Sequence, residues 1–329
     1  MNNKNITILG AGSWGTAIAL ALARNGHDVL LWDFFAEHCF NLQTDRENKK
    51  YLPSHSFPKN LHVQGDLVAS LAGAEMVVQA VPSHAVRSVL DLAAPLFQKS
   101  IPFVNLSKGF EKETLFTMSQ VATDVLGSDT QVFGLYGPSH ASEVAEGLPT
   151  AVVLAGRAGN TRDGLLEIFQ SQYFYVTTSD DLIGVEVAGS LKNIFAIATG
   201  LSDGLELGRN ARAALLTASL REMINFGTAF GGQYDTFFGL AGIGDLIATC
   251  TSRKSRNYNL GLQLAAGNDL ESILQDTGKL CEGVTATRLA LQVAEIHRIK
   301  IPIIQTLGDI LFNRICPRDA MMTLFRIFI

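Results

Sequence analysis

One lysine interrupts a long apolar segment in the second half of the chain. Lys192 lies within Val185–Ala196, and at helical spacing it shares a face with the small residues Ala188, Gly189, Ala196 and Thr199. Such a face leaves room for a ligand, and burial there would lower the pKa of the ammonium toward the range useful for proton transfer. The pattern indicates either an acid/base group or a lysine whose ammonium reaches water along its aliphatic stem.

Two polar segments in the same half of the chain are suited to binding a phosphate. The glycine-rich turn Gly239–Asp245 is followed by Ser255, Arg256 and Asn257, which stand just ahead of a predicted helix. Ser, Arg and Asn side chains combine well with the backbone N–H groups of a helix start to hold a phosphate. The alternative interpretation is a capped helix beside a small basic surface patch.

The first half carries a dinucleotide-binding fingerprint. Gly10, Gly12 and Gly15 form G-x-G-x-x-G between a predicted strand and a predicted helix, and Asp33 follows Gly12 by 21 residues at the end of a second predicted strand. These glycines permit a tight turn, close approach of a pyrophosphate and close helix packing. Asp33 can bind the ribose hydroxyls of NAD and would repel a 2′-phosphate. The alternatives are a glycine turn without a ligand and, for Asp33, a solvated strand end.

The elements that position these residues divide the chain in two. Short apolar runs alternate with helical patterns in the first half, which predicts a parallel sheet with helices on both faces; the predicted strands are 6–9, 28–32, 76–81, 102–106, 131–135 and 150–154. Later, long helical periods replace the strands; the predicted helices are 181–204, 208–230, 257–267, 285–298 and 303–314. We therefore expect an α/β fold with an N-terminal Rossmann-type doubly wound sheet at 1–180, followed by an all-α domain at 181–329.

Composition narrows the classes of partner. The 329 residues include 26 Lys and Arg against 31 Asp and Glu, so the chain lacks the basic excess that nucleic-acid surfaces need. The four cysteines are scattered without metal-ligand spacing, which predicts reduced thiols and no metal site. The apolar stretch Ile6–Ala23 is broken by the fingerprint glycines, so we expect no signal peptide, no membrane span and a cytoplasmic protein.

Taken together, these motifs resemble those of bacterial NAD(P)-dependent glycerol-3-phosphate dehydrogenases over essentially the whole chain. The matching stretches are Gly10–Gly15, Val81–Ser83, Ser107–Gly109, Gly137–Ala141, Gly147–Thr150, Leu191–Asn193, Gly239–Asp245, Thr249–Ser252, Ser255–Asn257, Glu282–Val284 and the closing Pro302 to Phe312 pattern. The resemblance implies interconversion of sn-glycerol 3-phosphate and dihydroxyacetone phosphate by hydride transfer with NAD or NADP. It also implies a supply of glycerol 3-phosphate for phospholipid synthesis and a homodimer.

The resemblance also implies roles for residues by matching position. Lys192 is the implied acid/base, oriented by Asp245 unless that carboxylate holds a substrate hydroxyl; the implied substrate site comprises Lys108, Gly137, Ser139, Lys192, Asp245, Ser255, Arg256 and Asn257. The implied cofactor site comprises Gly10, Gly12, Ser13, Trp14, Gly15, Asp33, Phe34, Phe35, Lys108, Ala141, Arg256, Leu280 and Glu282. Members of the family often carry Arg after the second strand, where this chain has two phenylalanines. We therefore expect NADH to be used at least as well as NADPH.

Three other functions compete with this one. One is another two-domain dehydrogenase with a catalytic lysine, acting on a β-hydroxyacid or 6-phosphogluconate. The segments Ser255–Asn257 and Gly239–Asp245 discriminate against it, because they suit a small phosphorylated triose. A protein that senses NAD without catalysis has no need of a proton donor such as Lys192. A purely structural role leaves the lysine in its apolar helix unexplained.

Overall fold

The computed structural model describes residues 3–277 and 281–327, and the chain divides into two compact units. The first unit comprises the chain up to Glu111 together with Phe116–Leu182. The second comprises Lys112–Leu115 and the chain from Ile183 onward. Leu280, which was expected at the cofactor site, lies outside the described residues.

The first unit is built on a sheet. Its described strands are β1 Asn5–Leu9, β2 Asp28–Trp32, β3 Glu47–Asn48, β4 Leu52–Ser56, β5 Leu61–Gln64, β6 Met76–Gln79, β7 Phe103–Asn105, β8 Val132–Tyr136, β9 Thr150–Ala155 and β10 Phe174–Ser179. Eight of them form one sheet in the order β10-β9-β8-β7-β6-β1-β2-β5, while β3 and β4 pair separately. The strands from β5 to β8 in this order are parallel.

Helices cover both faces of this sheet. The described α-helices of the first unit are α1 Ser13–Arg24, α2 Ala36–Asp45, α3 Leu67–Leu71, α4 Val86–Ala93, α5 Met118–Leu126, α6 Ala141–Glu146 and α7 Asn160–Phe169. Ile8 on β1 packs in one apolar cluster with α1, α2, α6 and α7, whereas its neighbour Leu9 packs in another with α3, α4 and α5. Because successive strand residues face opposite sides, strands covered on both faces are apolar at consecutive positions. The predicted doubly wound architecture is confirmed.

The predicted parallel sheet has one antiparallel junction, near one edge. β9 runs antiparallel to β8, and β10 runs parallel to β9, so the last two strands are reversed relative to the other six. A strand buried on both faces has the same apolar run in either direction, so the sequence pattern does not distinguish the two arrangements.

The described part of the second unit contains no strand, which confirms the predicted all-α character. Its helices are α8 Leu182–Gly204, α9 Arg209–Ala229, α10 Asp245–Cys250, α11 Arg256–Ala265, α12 Leu270–Thr277, α13 Glu282–His297, α14 Pro302–Asn313 and α15 Pro317–Ile327. A short 3-10 segment, Tyr234–Phe238, and one π-helical turn, Leu240–Gly244, lead into α10.

Helix α8 carries Lys192 through the core of the second unit. Every residue from Gly184 to Ser202 is buried. At Gly200 an added Cβ would lie 2.0 Å from the carbonyl oxygen of Tyr258, so α11 packs backbone to backbone against α8 only because this residue has no side chain. Among the described helices α8 alone is long and apolar enough to cross a membrane, yet 89% of its most apolar window is buried, as in the core helix of a folded unit.

Candidate active site

The fingerprint glycines form a backbone cradle in the first unit. Gly10 has a φ of +108°, and an added Cβ there would lie 2.9 Å from the backbone of Ala80 and Val81. At Gly15 an added Cβ would lie 2.0 Å from the carbonyl oxygen of Gly10. At Gly12, by contrast, it would meet nothing within 4 Å. Gly10 and Gly15 therefore permit the tight turn, and Gly12 keeps the space above the loop open to a ligand.

The start of α1 adds hydrogen-bond donors to this cradle. Gly12 is the N-cap, no side chain caps the helix, and its first turn holds no acidic residue. The first bond of the helical ladder runs from Thr16 N–H to Gly12 O over 3.0 Å, so the N–H groups of Ser13, Trp14 and Gly15 precede the ladder. Such N–H groups bind anions, and the open space over Gly12 fits the pyrophosphate of a dinucleotide.

Asp33 joins the end of β2 to the glycine cradle. Its Oδ2 accepts a hydrogen bond from Ala11 N–H over 3.0 Å, and its Oδ1 accepts one from Phe35 N–H over 3.1 Å. A carboxylate offers further lone pairs, which suit the hydroxyls of a ribose. Phe34 and Phe35 stand beside it, 64% and 68% exposed, with ring centroids 5.6 Å apart in an edge-to-face pair. These residues therefore suit the adenosine half of a dinucleotide, because Asp33 can bind the ribose and the two phenylalanine rings offer an exposed aromatic surface for the base.

Four further predicted site residues lie at the carboxyl ends of β7 and β8. Lys108 follows β7 and is half-buried, with its Nζ 6.0 Å from the ring centroid of Tyr136. Beyond β8, the hydroxyl of Ser139 donates to the carbonyl oxygen of Gly137 over 2.9 Å, and Ala141 begins α6. Ligands of open α/β sheets bind outside this edge.

In the second unit, the predicted acid/base lysine forms a buried ion pair. Lys192 is 7% exposed, and its Nζ donates a hydrogen bond to Oδ1 of Asp245, which is 1% exposed and begins α10. Thr249 Oγ1 donates to the same carboxylate oxygen over 3.4 Å. The lysine therefore does not extend along its stem into water, because its ammonium meets a carboxylate inside the unit. Its lowered pKa stays a prediction.

The predicted phosphate segment is a helix start with a fixed amide. The Ser255 hydroxyl accepts from Tyr258 N–H over 3.2 Å and caps α11, so the capped helix named above as an alternative is present. Asn257 is buried, and its Oδ1 accepts from Gly283 N–H over 3.0 Å and from the Cys281 thiol over 3.1 Å. Because its oxygen accepts these two bonds, the side-chain N–H groups of Asn257 are the ones that could donate to a phosphate. Arg256 is exposed and takes part in none of these bonds.

The start of α13 links these residues to α8. Glu282 Oε2 accepts a hydrogen bond from Asn193 Nδ2 over 3.2 Å. Asn193 follows Lys192 directly in the sequence, so this hydrogen bond connects the start of α13 to the residue next to the lysine. Asn193 and Thr249 were not among the predicted site residues. Their available signals were the position next to the lysine for Asn193 and, for Thr249, the spacing of one helical turn from Asp245.

Two thiols lie among these residues, and both stay protonated. Burial raises the pKa of Cys250 to about 12, although a hydrogen bond with Thr199 opposes the change. Burial likewise raises the pKa of Cys281 to about 11. Since the thiolate is the nucleophilic form, neither cysteine is placed for covalent chemistry. The chemistry available here is proton transfer by an ammonium held on a carboxylate.

Comparison with known proteins places this arrangement among dehydrogenases. Residues 5–161 match the family model for the N-terminus of NAD-dependent glycerol-3-phosphate dehydrogenase, and residues 181–322 match the model for its C-terminus. The chain is 46% identical, over 94% of its length and 92% of the relative's, to glycerol-3-phosphate dehydrogenase [NAD(P)+] of Moorella thermoacetica. It is 41% identical to the enzyme of that name from Lysinibacillus sphaericus, over 97% and 96% of the two chains.

Solved structures give the same result. The crystal structure of glycerol-3-phosphate dehydrogenase from Coxiella burnetii has a TM-score of 0.95 at 42% identity, over 98% of this chain and 99% of that one. A ketopantoate reductase from Ralstonia eutropha has a TM-score of 0.61 at 17% identity, which shows a shared fold alone.

Proposed function

The chain belongs to the NAD-dependent glycerol-3-phosphate dehydrogenase family, and we propose that Lys192 is the acid/base of its reaction. The enzyme is an NAD(P)-dependent oxidoreductase that acts on a CH–OH group. It interconverts dihydroxyacetone phosphate and sn-glycerol 3-phosphate and supplies glycerol 3-phosphate for phospholipid synthesis.

The observation that carries the role of Lys192 is its buried ion pair with Asp245. When bound, the nicotinamide cofactor supplies the hydride that reduces the ketone. Negative charge then develops on the ketone oxygen, and a proton from the Lys192 ammonium neutralises it. In the reverse direction the neutral amine takes the proton from the hydroxyl. Asp245 holds the side chain in one place, and the Thr249 hydroxyl holds Asp245.

The substrate is assigned to residues that offer positive charge and hydrogen-bond donors; they are Lys108, Gly137, Ser139, Lys192, Asp245, Ser255, Arg256 and Asn257. The phosphate belongs at the start of α11, because Asn257 has its oxygen turned toward Gly283 and its amide N–H groups remain. Arg256, exposed beside it, adds a guanidinium suited to bidentate phosphate binding. Lys108 acts through its charge and stabilises the developing oxyanion.

The cofactor is assigned to the glycine cradle and the residues around it; they are Gly10, Gly12, Ser13, Trp14, Gly15, Asp33, Phe34, Phe35, Lys108, Ala141, Arg256, Leu280 and Glu282. The enzyme uses NAD or NADP. NADH serves at least as well as NADPH, because the Asp33 carboxylate bound to Ala11 N–H would repel a 2′-phosphate.

Two further statements concern the state of the protein in the cell. We place it in the cytoplasm, which is supported by the absence of disulfides among its four cysteines, all of which are described and free. We also propose a homodimer, supported by exposed apolar side chains on the second unit such as Tyr234 and Phe238, which are 59% and 50% exposed. Cell fractionation and light scattering during size-exclusion chromatography test these statements.

The reaction is tested by absorbance at about 340 nm, the band of the reduced nicotinamide. Purified protein is mixed with dihydroxyacetone phosphate and either NADH or NADPH. We expect loss of absorbance that depends on the substrate, at a rate with NADH equal to or above that with NADPH. Cofactor binding without oxidation would contradict the proposal and favour a protein that senses the dinucleotide.

A further inference from the structure

A buried polar network lies at the carboxyl edge of the first unit's sheet, next to Lys108. It joins the last residues of three neighbouring strands, Gln79 of β6, Asn105 of β7 and Tyr136 of β8, which are 0%, 0% and 1% exposed. Gln79 and Asn105 are register partners, and Gln79 Nε2 donates to Asn105 Oδ1 over 3.3 Å. Buried polar groups are costly unless hydrogen-bonded, and hydrogen-bonded networks make a structure rigid. Among the described residues Gln79 Oε1 has no partner, so the rigid part of the network is the set of bonds around Asn105.

This network fixes the peptide of Ser107, the residue before Lys108. Ser107 N–H donates to Asn105 Oδ1 over 3.1 Å, and the Ser107 carbonyl accepts from Asn105 Nδ2 over 3.0 Å. The Tyr136 hydroxyl accepts from Asn105 Nδ2 over 2.6 Å and donates to the same Ser107 carbonyl over 2.8 Å. The Ser107 hydroxyl in turn donates to the carbonyl oxygen of Val81 over 2.6 Å. Ser107 is therefore held through its N–H, its carbonyl and its side chain.

Tyr136 also faces the lysine side chain itself. The Nζ of Lys108 lies 6.0 Å from the centroid of the Tyr136 ring, at the outer limit of a cation–π attraction. Tyr136 can therefore influence Lys108 in two ways. Its hydroxyl holds the peptide that precedes the lysine, and its ring lies within reach of the ammonium.

We propose that Tyr136 is a positioning residue that fixes the direction of Lys108 for the reaction. The proposal rests on the function proposed above, in which the Lys108 charge stabilises the oxyanion that forms on the substrate. A cation held in place in advance stabilises such a charge without reorganising during the reaction. A displacement of about 1 Å at such a group can cost about 100-fold in rate. Tyr136 contributes by limiting that displacement.

The test is a double-mutant cycle on the purified enzyme with Tyr136→Phe and Lys108→Ala, singly and together. The phenylalanine keeps the ring and removes the hydroxyl that binds the Ser107 carbonyl. We expect Y136F to lower kcat/KM for dihydroxyacetone phosphate by about tenfold, as a modest displacement of a charged group would do. In the K108A background the same substitution changes kcat/KM by less than about twofold, because residues that act through one another are not additive.

Further measurements separate positioning from general damage. Tyr175→Phe is the matched control, since Tyr175 is 46% exposed and its hydroxyl donates only locally, to the Gln172 carbonyl; it leaves kcat/KM unchanged. Hydrogen exchange at the Ser107 amide, followed by mass spectrometry, becomes faster in Y136F if the peptide is released. An equal loss from Y136F in both backgrounds, or none in either, overturns the positioning role alone. Full activity of K108A overturns the role of Lys108 in the proposed function and the positioning role with it.

Discussion

The ammonium of Lys192 donates a hydrogen bond to Oδ1 of Asp245, and both side chains are buried. A charge this deeply buried requires a partner, because the loss of water around it is costly. The pair joins the centre of α8 to the first residue of α10. The pair therefore holds the lysine in place within the unit, and substitution can separate this structural role from the proposed role of Lys192 as proton donor.

Asp245→Asn keeps the size of the side chain and removes its charge. We expect kcat to fall by about 100-fold, because the proton donor is no longer held in place. The free energy of unfolding should fall by about 3 kcal/mol, since the ammonium remains buried without its partner. Steady-state kinetics and urea unfolding measure the two effects. Asp235→Asn, at an exposed position in the same unit, is the control; an equally small change in both variants would refute the role of Asp245.

Cofactor preference should follow Asp33 and Phe34. Asp33→Asn combined with Phe34→Arg removes the negative charge and adds a guanidinium where a 2′-phosphate would lie. We expect the ratio of kcat/KM for NADPH to that for NADH to rise by about tenfold or more, since acid and Arg select between these cofactors. The affinity for 2′,5′-ADP relative to ADP, measured by calorimetry, should rise in parallel.

Phe40→Arg is the control for this change in charge. Phe40 is 65% exposed on α2, so its substitution adds the same guanidinium to the first unit without replacing Asp33 or Phe34. In this variant the ratio of kcat/KM for NADPH to that for NADH should stay within about twofold of the wild-type ratio, because an exposed charge away from the ribose is screened by solvent. A double variant that still shows the wild-type ratio would mean that these residues do not face the adenosine ribose.

Gly283 should matter for the substrate phosphate. An added Cβ there would lie 2.7 Å from the carbonyl oxygen of Asn193 and 2.8 Å from Asn257 Oδ1. Gly283→Ala therefore displaces Asn257, and we expect KM for dihydroxyacetone phosphate to rise by about tenfold and stability to fall by about 1–3 kcal/mol, as for other overpacked sites. In the control Gly164→Ala the new Cβ meets nothing within 4 Å, so KM should not change. Equal KM values in both variants would argue against a tight contact at Gly283.

The stability of the second unit should depend on pH through Glu222. This residue is 3% exposed on α9, and its carboxylate accepts from Ile303 N–H over 2.8 Å and Ile304 N–H over 2.9 Å at the start of α14. Burial raises the pKa of Glu222 from 4.5 to about 7. The folded state then binds a proton more tightly than the unfolded state between these values. The stabilisation that the folded state gains from the protonated Glu222 is complete below pH 4.5 and is lost as pH rises through about 7.

Glu222→Gln removes the titrating group while keeping one oxygen as an acceptor. The difference in unfolding free energy between E222Q and the wild type should therefore shift in favour of E222Q as pH rises from 4.5 to 7, and level off above. Denaturant unfolding at several pH values measures it. The exposed Glu295→Gln provides the comparison and should track the wild type throughout. An E222Q curve parallel to the wild type would show that Glu222 keeps its ordinary pKa.

Much of the fold could be predicted from the sequence where local pattern and burial agree. The strand predicted at 28–32 is β2, and the helix predicted at 181–204 is α8, each within one residue. β5 and β10 were not predicted, because they are edge strands in which buried residues alternate with exposed ones. α10 was not predicted, because a helix of six residues after a π turn is too short to show a helical period in the sequence.

The candidate site shows a similar limit. Lys192 could be singled out from its local context, a lysine among apolar residues, whereas Asp245 was implied as its partner only by the family resemblance. That the two are paired depends on how α8 and α10 pack, which no local pattern encodes. Tyr136 could not be recognised at all, because at the end of an apolar strand an aromatic residue resembles any other core residue.

The central claim is that Lys192 gives the proton, and the most direct test is the turnover of Lys192→Ala. With NADH and dihydroxyacetone phosphate, kcat should fall by about 10²–10⁴-fold, the contribution typical of a general acid. The Kd of NADH, followed by its fluorescence, should stay nearly unchanged, and added primary amine should restore part of the turnover. A variant that keeps wild-type turnover, or loses it only through loss of NADH binding, would contradict the account.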